Sequence, residues 1–92
     1  MCSKEEQIKK DFEEACINIK PIVNLGNDDL LILYGLYKQS TIGDCNVSKP
    51  NVFDFKGQAK WDAWESNRGL DKLIAMRRYI RKVKNILDLV NQ

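Results

Sequence analysis

The sequence predicts an all-α protein, a bundle of four helices. Two observations carry this. Apolar residues recur at spacings of three and four in four separate stretches. Each stretch is bracketed by residues that start or stop helices. A third observation sets the scale: 92 residues suffice for one domain, read as 1–92, with a modest core.

The first helix is expected from about Lys4 to Lys20. Ser3 followed by Glu6 forms a capping box, and Ile8, Phe12, Ala15, Cys16 and Ile19 recur at helical spacing. Pro21 ends it. Asn27 is a plausible N-cap for a second helix from about Asp28 to Ile42, with Asp28 and Asp29 favourable in its first turn. Leu30, Leu33, Tyr34, Tyr37 and Thr41 mark one face, and Gly43 stops the helix.

Residues 43–54 read as a long loop rich in turn formers, with Val47, Val52 and Phe53 as candidate anchors on the core. Asp54 can cap a third helix, Phe55 to Asn67, with Gly69 as its stop. Asp71 caps a fourth, whose apolar stripe is Ala75, Met76, Tyr79, Ile80, Val83, Ile86, Leu87 and Val90.

Composition narrows the function. Fifteen basic and thirteen acidic residues leave a net charge of +2, too mild to argue for nucleic acid through bulk electrostatics. No apolar run approaches the roughly 20 residues that span a bilayer, so no stable membrane insertion is expected. The charged start of the chain has no signal-peptide core, which points to a cytoplasmic protein. Cys2 reads as an inert thiol rather than an acylation site. Three cysteines, Cys2, Cys16 and Cys45, suggest no disulfide framework. Histidine is absent, which removes the commonest general base and zinc ligand. No phosphate-cradling glycine loop or metal-spaced cysteine cluster occurs. Neither an enzyme nor a cofactor is expected.

Three clusters could carry chemistry. Tyr34, Tyr37 and Lys38 share one helix face. Spacing alone reads them as two half-buried tyrosines beside a solvated lysine. The sharper reading is a site for an aromatic anion, with phenols stacking and the ammonium pairing with phosphate. Lys56 and Lys60 stand one turn apart beside Trp61 and Trp64. These are either exposed lysines beside core tryptophans or a basic ridge along a groove. Arg77, Arg78, Arg81, Lys82 and Lys84 on the last helix read as a solvated back more readily than as a nucleic-acid face.

Together these segments resemble one family. YGLYKQSTIGDCN (residues 34–46) resembles the Y-x-x-Y-K-Q segment of acyl-CoA-binding proteins. FDFKGQAKWDAW (53–64) resembles the family's segment around K-W-D-A-W, and AMRRYIRKV (75–83) its last helix. Order and spacing match across roughly Phe12 to Leu87.

The resemblance implies helices in up-down-down-up order, with a long crossing between the second and third. It implies a long-chain fatty acyl-CoA as ligand, held in a surface groove by an intracellular monomeric carrier. The carrier would make transient contact with acyl-CoA-using enzymes or membrane surfaces. An alternative keeps the fold as a protein-interaction module that has lost the ligand. Matched residue by residue, the implied ligand contacts are Lys20, Tyr34, Gly35, Leu36, Tyr37, Lys38, Lys56, Lys60 and Tyr79. Ile8, Phe12, Cys16 and Trp61 are the candidates for the acyl groove. Ile74 stands where the family usually has a capping glutamate, and Arg78 where it often has a small residue.

Overall fold

The computed structural model describes residues 3–22 and 24–91; Cys2, and with it the reading of its thiol, lies outside them. Four helices follow in order: α1 (Lys4–Ile19), α2 (Asn27–Thr41), α3 (Phe55–Glu65) and α4 (Lys72–Val90). They run up, down, down, up, and no strand occurs among the described residues.

Local chemistry sets the helix ends. The Ser3 hydroxyl accepts from the Glu6 N–H at 3.1 Å, a cap that contributes about 1 kcal/mol. Asp54 accepts from Gly57 N–H at 3.0 Å. Asp71 accepts from Leu73 N–H at 3.0 Å. The expected cap at Asn27 is not found: Gly26 occupies the cap position without a side-chain bond, and Asn27 is the first helical residue. At the other end of α2, Gly43 takes φ 101°, a left-handed turn that suits glycine. α3 ends two residues before the expected Asn67, and turns carry the chain to Gly69 at φ 87°.

α4 and α2 form the centre. α1 packs on α4, α3 packs on α2, and neither outer helix meets the other. The result is a slab, 47 × 32 × 15 Å. The core is Phe12 and Ala15 from α1, Leu33 and Leu36 from α2, and Met76, Tyr79, Val83 and Ile86 from α4, with Ala75 also fully buried. Burying each larger aliphatic or aromatic group contributes about 1.5–3 kcal/mol. Val90, counted in the expected stripe, is exposed in the last turn.

α2 must serve two partners, so it is apolar on two sides. Leu33 and Leu36 face the core, while Gly35 faces α3. A methyl group at Gly35 would run into the Ala63 carbonyl, so close approach of the two helices requires glycine there.

The loop, residues 42–54, is fastened by polar bonds rather than by its apolar side chains. Trp64 Nε1–H donates to Gly43 O at 2.7 Å, and Trp61 Nε1–H to Val47 O at 2.8 Å. Arg68 donates to Cys45 O at 2.6 Å. Asp44 accepts from Gln39 at 2.9 Å and from Gly69 N–H at 2.8 Å. Cys45 is buried, but the expected anchors Val47, Val52 and Phe53 are all exposed. Main-chain carbonyls left unpaired by the loop need donors, and the two indoles and Arg68 supply them.

Candidate functional site

Because α1 and α2 both rest on α4 with their backbones held apart, a groove opens between them. Phe12, Tyr37 and Tyr79 meet at its floor, one from each helix. Phe12 lies 5.0 Å edge-on from Tyr79 and 5.9 Å from Tyr37, and the two tyrosine rings are 6.3 Å apart. Such pairs add about 0.5–1.5 kcal/mol beyond area burial. Phe12 is 6% exposed, so it props up the tyrosines rather than lining the groove as a free surface.

Five of the nine residues singled out from the sequence line one cavity of about 490 Å³: Lys20, Tyr34, Tyr37, Lys60 and Tyr79. Lys56 joins Lys60 along a second cavity of about 320 Å³, between the first turns of α2 and α3. Leu30 and Lys60 line both, so the two adjoin. Lys38 stands just beside. Its Nζ is 5.1 Å from the Trp64 ring and 6.0 Å from the Tyr34 ring, and Lys60 Nζ is 5.5 Å from the same Tyr34 ring. One phenol ring is thus flanked by two ammonium groups. Among the described residues, Lys20, Lys38, Lys56 and Lys60 take part in none of the ion pairs.

Gly35 and Leu36 are placed elsewhere. Gly35 is buried against α3 and Leu36 lies in the core. A helix turns about 100° per residue, so positions 34, 37 and 38 share a face that 35 and 36 leave.

The second cavity has the apolar character of a tail site, with Leu30, Leu31, Phe55 and Ala59 as its walls. Sequence reasoning did not single these out. The candidates it named fall differently. Ile8 packs on the core. Phe12 and Cys16 border a further hollow toward the start of α4, on the other side of Tyr37. Trp61 is spent on the loop. The missed signal was Leu30-Leu31: two adjacent apolar residues cannot both face α4, and one side of α2 had to serve another wall.

Protonation states follow from burial. Burial pushes the Tyr79 phenol well above its ordinary range, and the neighbouring Cys16 thiol adds to this. Burial likewise raises the Cys16 thiol, although Tyr79 and Lys20 pull the other way. At neutral pH the groove therefore presents a phenol, and the Cys16 thiol beside it is protonated and weakly nucleophilic. Among the described residues no group of side chains is placed to hold a metal ion, and no helix is long and apolar enough to cross a membrane. The arrangement can hold an extended molecule with an anionic, aromatic head and an apolar tail.

Comparison with known proteins agrees in its own terms. Residues 9–83 match the family described as Acyl CoA binding protein. The chain is 48% identical over 82 residues to the Acyl-CoA-binding protein of Brassica napus, covering 88% of this chain and 89% of that one. Its fold superposes on Acyl-CoA-Binding Protein 2 of Oryza sativa with a TM-score of 0.88 at 40% identity, covering 91% and 94% of the two chains. The Moniliophthora perniciosa relative gives 0.85 at 36% identity, covering 91% and 84%.

Proposed function

Since the chain belongs to the acyl-CoA-binding protein family, we propose that it binds long-chain fatty acyl-CoA esters in this groove and carries them in the cytoplasm as a monomeric, single-domain pool former. The observation that carries the reading is that the two cavities adjoin, with Leu30 and Lys60 on the walls of both. Lys20, Tyr34, Tyr37, Lys60 and Tyr79 converge on one, and an apolar trough begins where Leu30 and Lys60 border both.

The chemistry divides along that line. CoA presents an adenine, a 3′-phosphate and a diphosphate. Tyr34 and Tyr37 offer rings and hydroxyls to the nucleotide. Lys20, Lys38, Lys56 and Lys60 offer ammonium groups to the phosphates, where a hydrogen bond to a charged group contributes about 1.5–3 kcal/mol. Gly35 and Leu36 act indirectly, holding α2 at the distance and rotation that present the tyrosines. The acyl chain follows Leu30, Leu31, Phe55 and Ala59. Burying roughly 14 methylenes at about 0.8 kcal/mol each has a ceiling near ~11 kcal/mol before association and ordering costs. This favours the long-chain ester over free CoA.

The role is binding rather than turnover. Burial raises the Cys16 thiol above its ordinary range, which keeps it a poor nucleophile, and the chain has no histidine to activate it. The bound ester would be shielded and released intact to enzymes or membranes.

Calorimetry with palmitoyl-CoA, CoA and palmitate tests the proposal. The expected result is one tight site for palmitoyl-CoA, weaker binding of CoA, and no loss of ester over hours. Lys38→Ala weakens palmitoyl-CoA roughly tenfold or more and leaves the thermal midpoint nearly unchanged. No binding by the folded wild type would leave the interaction-module alternative standing.

A further inference from the structure

Positive charge is concentrated on α4. That helix holds six basic residues against one carboxylate, Asp88, while the rest of the chain holds nine basic against twelve acidic. Lys82 is spent on Asp29 at 2.8 Å, and Lys72 borders the hollow beside Tyr37. Arg77, Arg78, Arg81 and Lys84 remain. All four are exposed, and among the described residues none takes part in an ion pair. None borders either cavity of the groove.

Helix energetics do not account for this arrangement. Arg77 and Arg81 stand one turn apart, as do Arg78 and Lys82, and like charges at that spacing repel. The helix dipole offers no compensation, since no basic residue falls in the last turn of α4. Four unpaired cations on one helix are free to meet a partner's carboxylates.

The face has a shape as well as a charge. Arg77, Arg81 and Lys84 rim a hollow of about 600 Å³ at the seam of α1 and α4. Ile8 and Ile80, both half-buried, give it an apolar floor. Along the helix the three cations are separated by about 6 Å and then about 4.5 Å. Side chains at i, i+4 and i+7 of a second helix laid alongside have the same spacing.

The mixed lining selects the partner. Asp11 and Asp88 share the hollow with the cations. A continuous phosphate backbone would meet both carboxylates, whereas three spaced acidic side chains need not. A bilayer interface favours aromatic side chains, and the one aromatic of α4, Tyr79, faces the groove instead. Arginine forks match carboxylates bidentately, and an apolar side chain can enter between Ile8 and Ile80. An acidic amphipathic helix supplies both. The face also points away from the groove: Arg81 lies two residues, about 200°, round α4 from Tyr79.

We propose that Arg77, Arg81 and Lys84, with the hollow between Ile8 and Ile80, form a docking face for an acidic amphipathic helix of a partner protein. The inference does not require that the groove bind acyl-CoA.

The test is nuclear magnetic resonance of the full chain, titrated with an alanine-based helical peptide carrying glutamates at i, i+4 and i+7 and a leucine at i+3. Amide shifts are expected to cluster on α4 around Arg77, Arg81 and Lys84 and on α1 around Ile8. Arg77→Glu combined with Arg81→Glu should weaken the peptide roughly tenfold or more. Circular dichroism and palmitoyl-CoA affinity of this variant match wild type. Absence of shifts on this face, or equal binding by the variant, would overturn the proposal. So would tighter binding of a single-stranded oligonucleotide or of phosphatidylserine vesicles at the same residues. Each result leaves the palmitoyl-CoA titration to stand or fall alone.

Discussion

The two ends of the groove are built differently. The tyrosine end is assembled from all four helices: Lys20 follows α1, Tyr34 and Tyr37 come from α2, Lys60 from α3 and Tyr79 from α4. Its rings are locked to Phe12 in the core. The apolar end uses only α2 and α3, and one of its walls, Phe55, is 77% exposed. Recognition of the head therefore depends on the integrity of the whole bundle, whereas the tail site can be altered almost without cost to the fold.

Breaking the head end should have the largest effect. Phe12→Ala removes the ring that both tyrosines touch and leaves a core cavity. Unfolding in urea should show a loss of about 3–5 kcal/mol, and affinity for CoA should fall with it. An equally large cost from altering Phe55 would erase the contrast. Phe55→Ser is expected instead to leave the urea midpoint within about 0.5 kcal/mol of wild type. Palmitoyl-CoA binding should weaken by roughly tenfold, with CoA affinity unchanged.

The contrast also explains what could be read from the sequence. Tyr34, Tyr37 and Lys38 were legible because one turn of helix sets their common face. The resemblance extended that face to Lys20, Lys56, Lys60 and Tyr79, and the fold brings all but Lys38 onto the two adjoining cavities. Gly35 and Leu36 were carried along as neighbours in the chain, although helical rotation turns them toward α3 and the core. The apolar end was illegible for a different reason. Leu30, Leu31, Phe55 and Ala59 are ordinary helix residues until the crossing of α2 and α3 brings them together, and that crossing depends on a long loop. Within the loop, hydrophobicity misled. Val52 and Phe53 look like anchors, but the restraints are hydrogen bonds from Trp61, Trp64 and Arg68 to main-chain carbonyls. Gln39, the most deeply buried polar side chain along with Ser40, joins Asp44 to Leu70 O; it closes the Y-x-x-Y-K-Q motif, but the motif did not indicate this structural role.

The smallest expected effect lies in that loop and concerns acid. The Gly69 N–H, the Gln39 amide and then Arg68 hold the Asp44 carboxyl below its ordinary range, and Arg68 does the same for Glu65. A depressed folded-state value means that the stabilisation is complete above the unfolded value, about 3.9 for Asp and 4.3 for Glu. It is lost as pH falls through the folded value. Asp44 is exposed and Glu65 only half-buried, so the contribution is small. Asp44→Asn should flatten the fall in Tm below about pH 4 and leave palmitoyl-CoA binding at pH 7 unaltered. A fall as steep as wild type would remove the Asp44 latch from the account.

Head and tail recognition are expected to be separable between the two adjoining cavities. The most direct measurement is calorimetry of CoA and palmitoyl-CoA on two variants, Lys20→Ala, which borders only the tyrosine end, and Leu31→Ser, which borders only the apolar end. Lys20→Ala should weaken both ligands by the same factor, roughly tenfold. Leu31→Ser should weaken palmitoyl-CoA by a comparable factor and leave CoA untouched. If Leu31→Ser left palmitoyl-CoA unchanged, or weakened CoA as much, the tail would not run where the cavity between α2 and α3 places it.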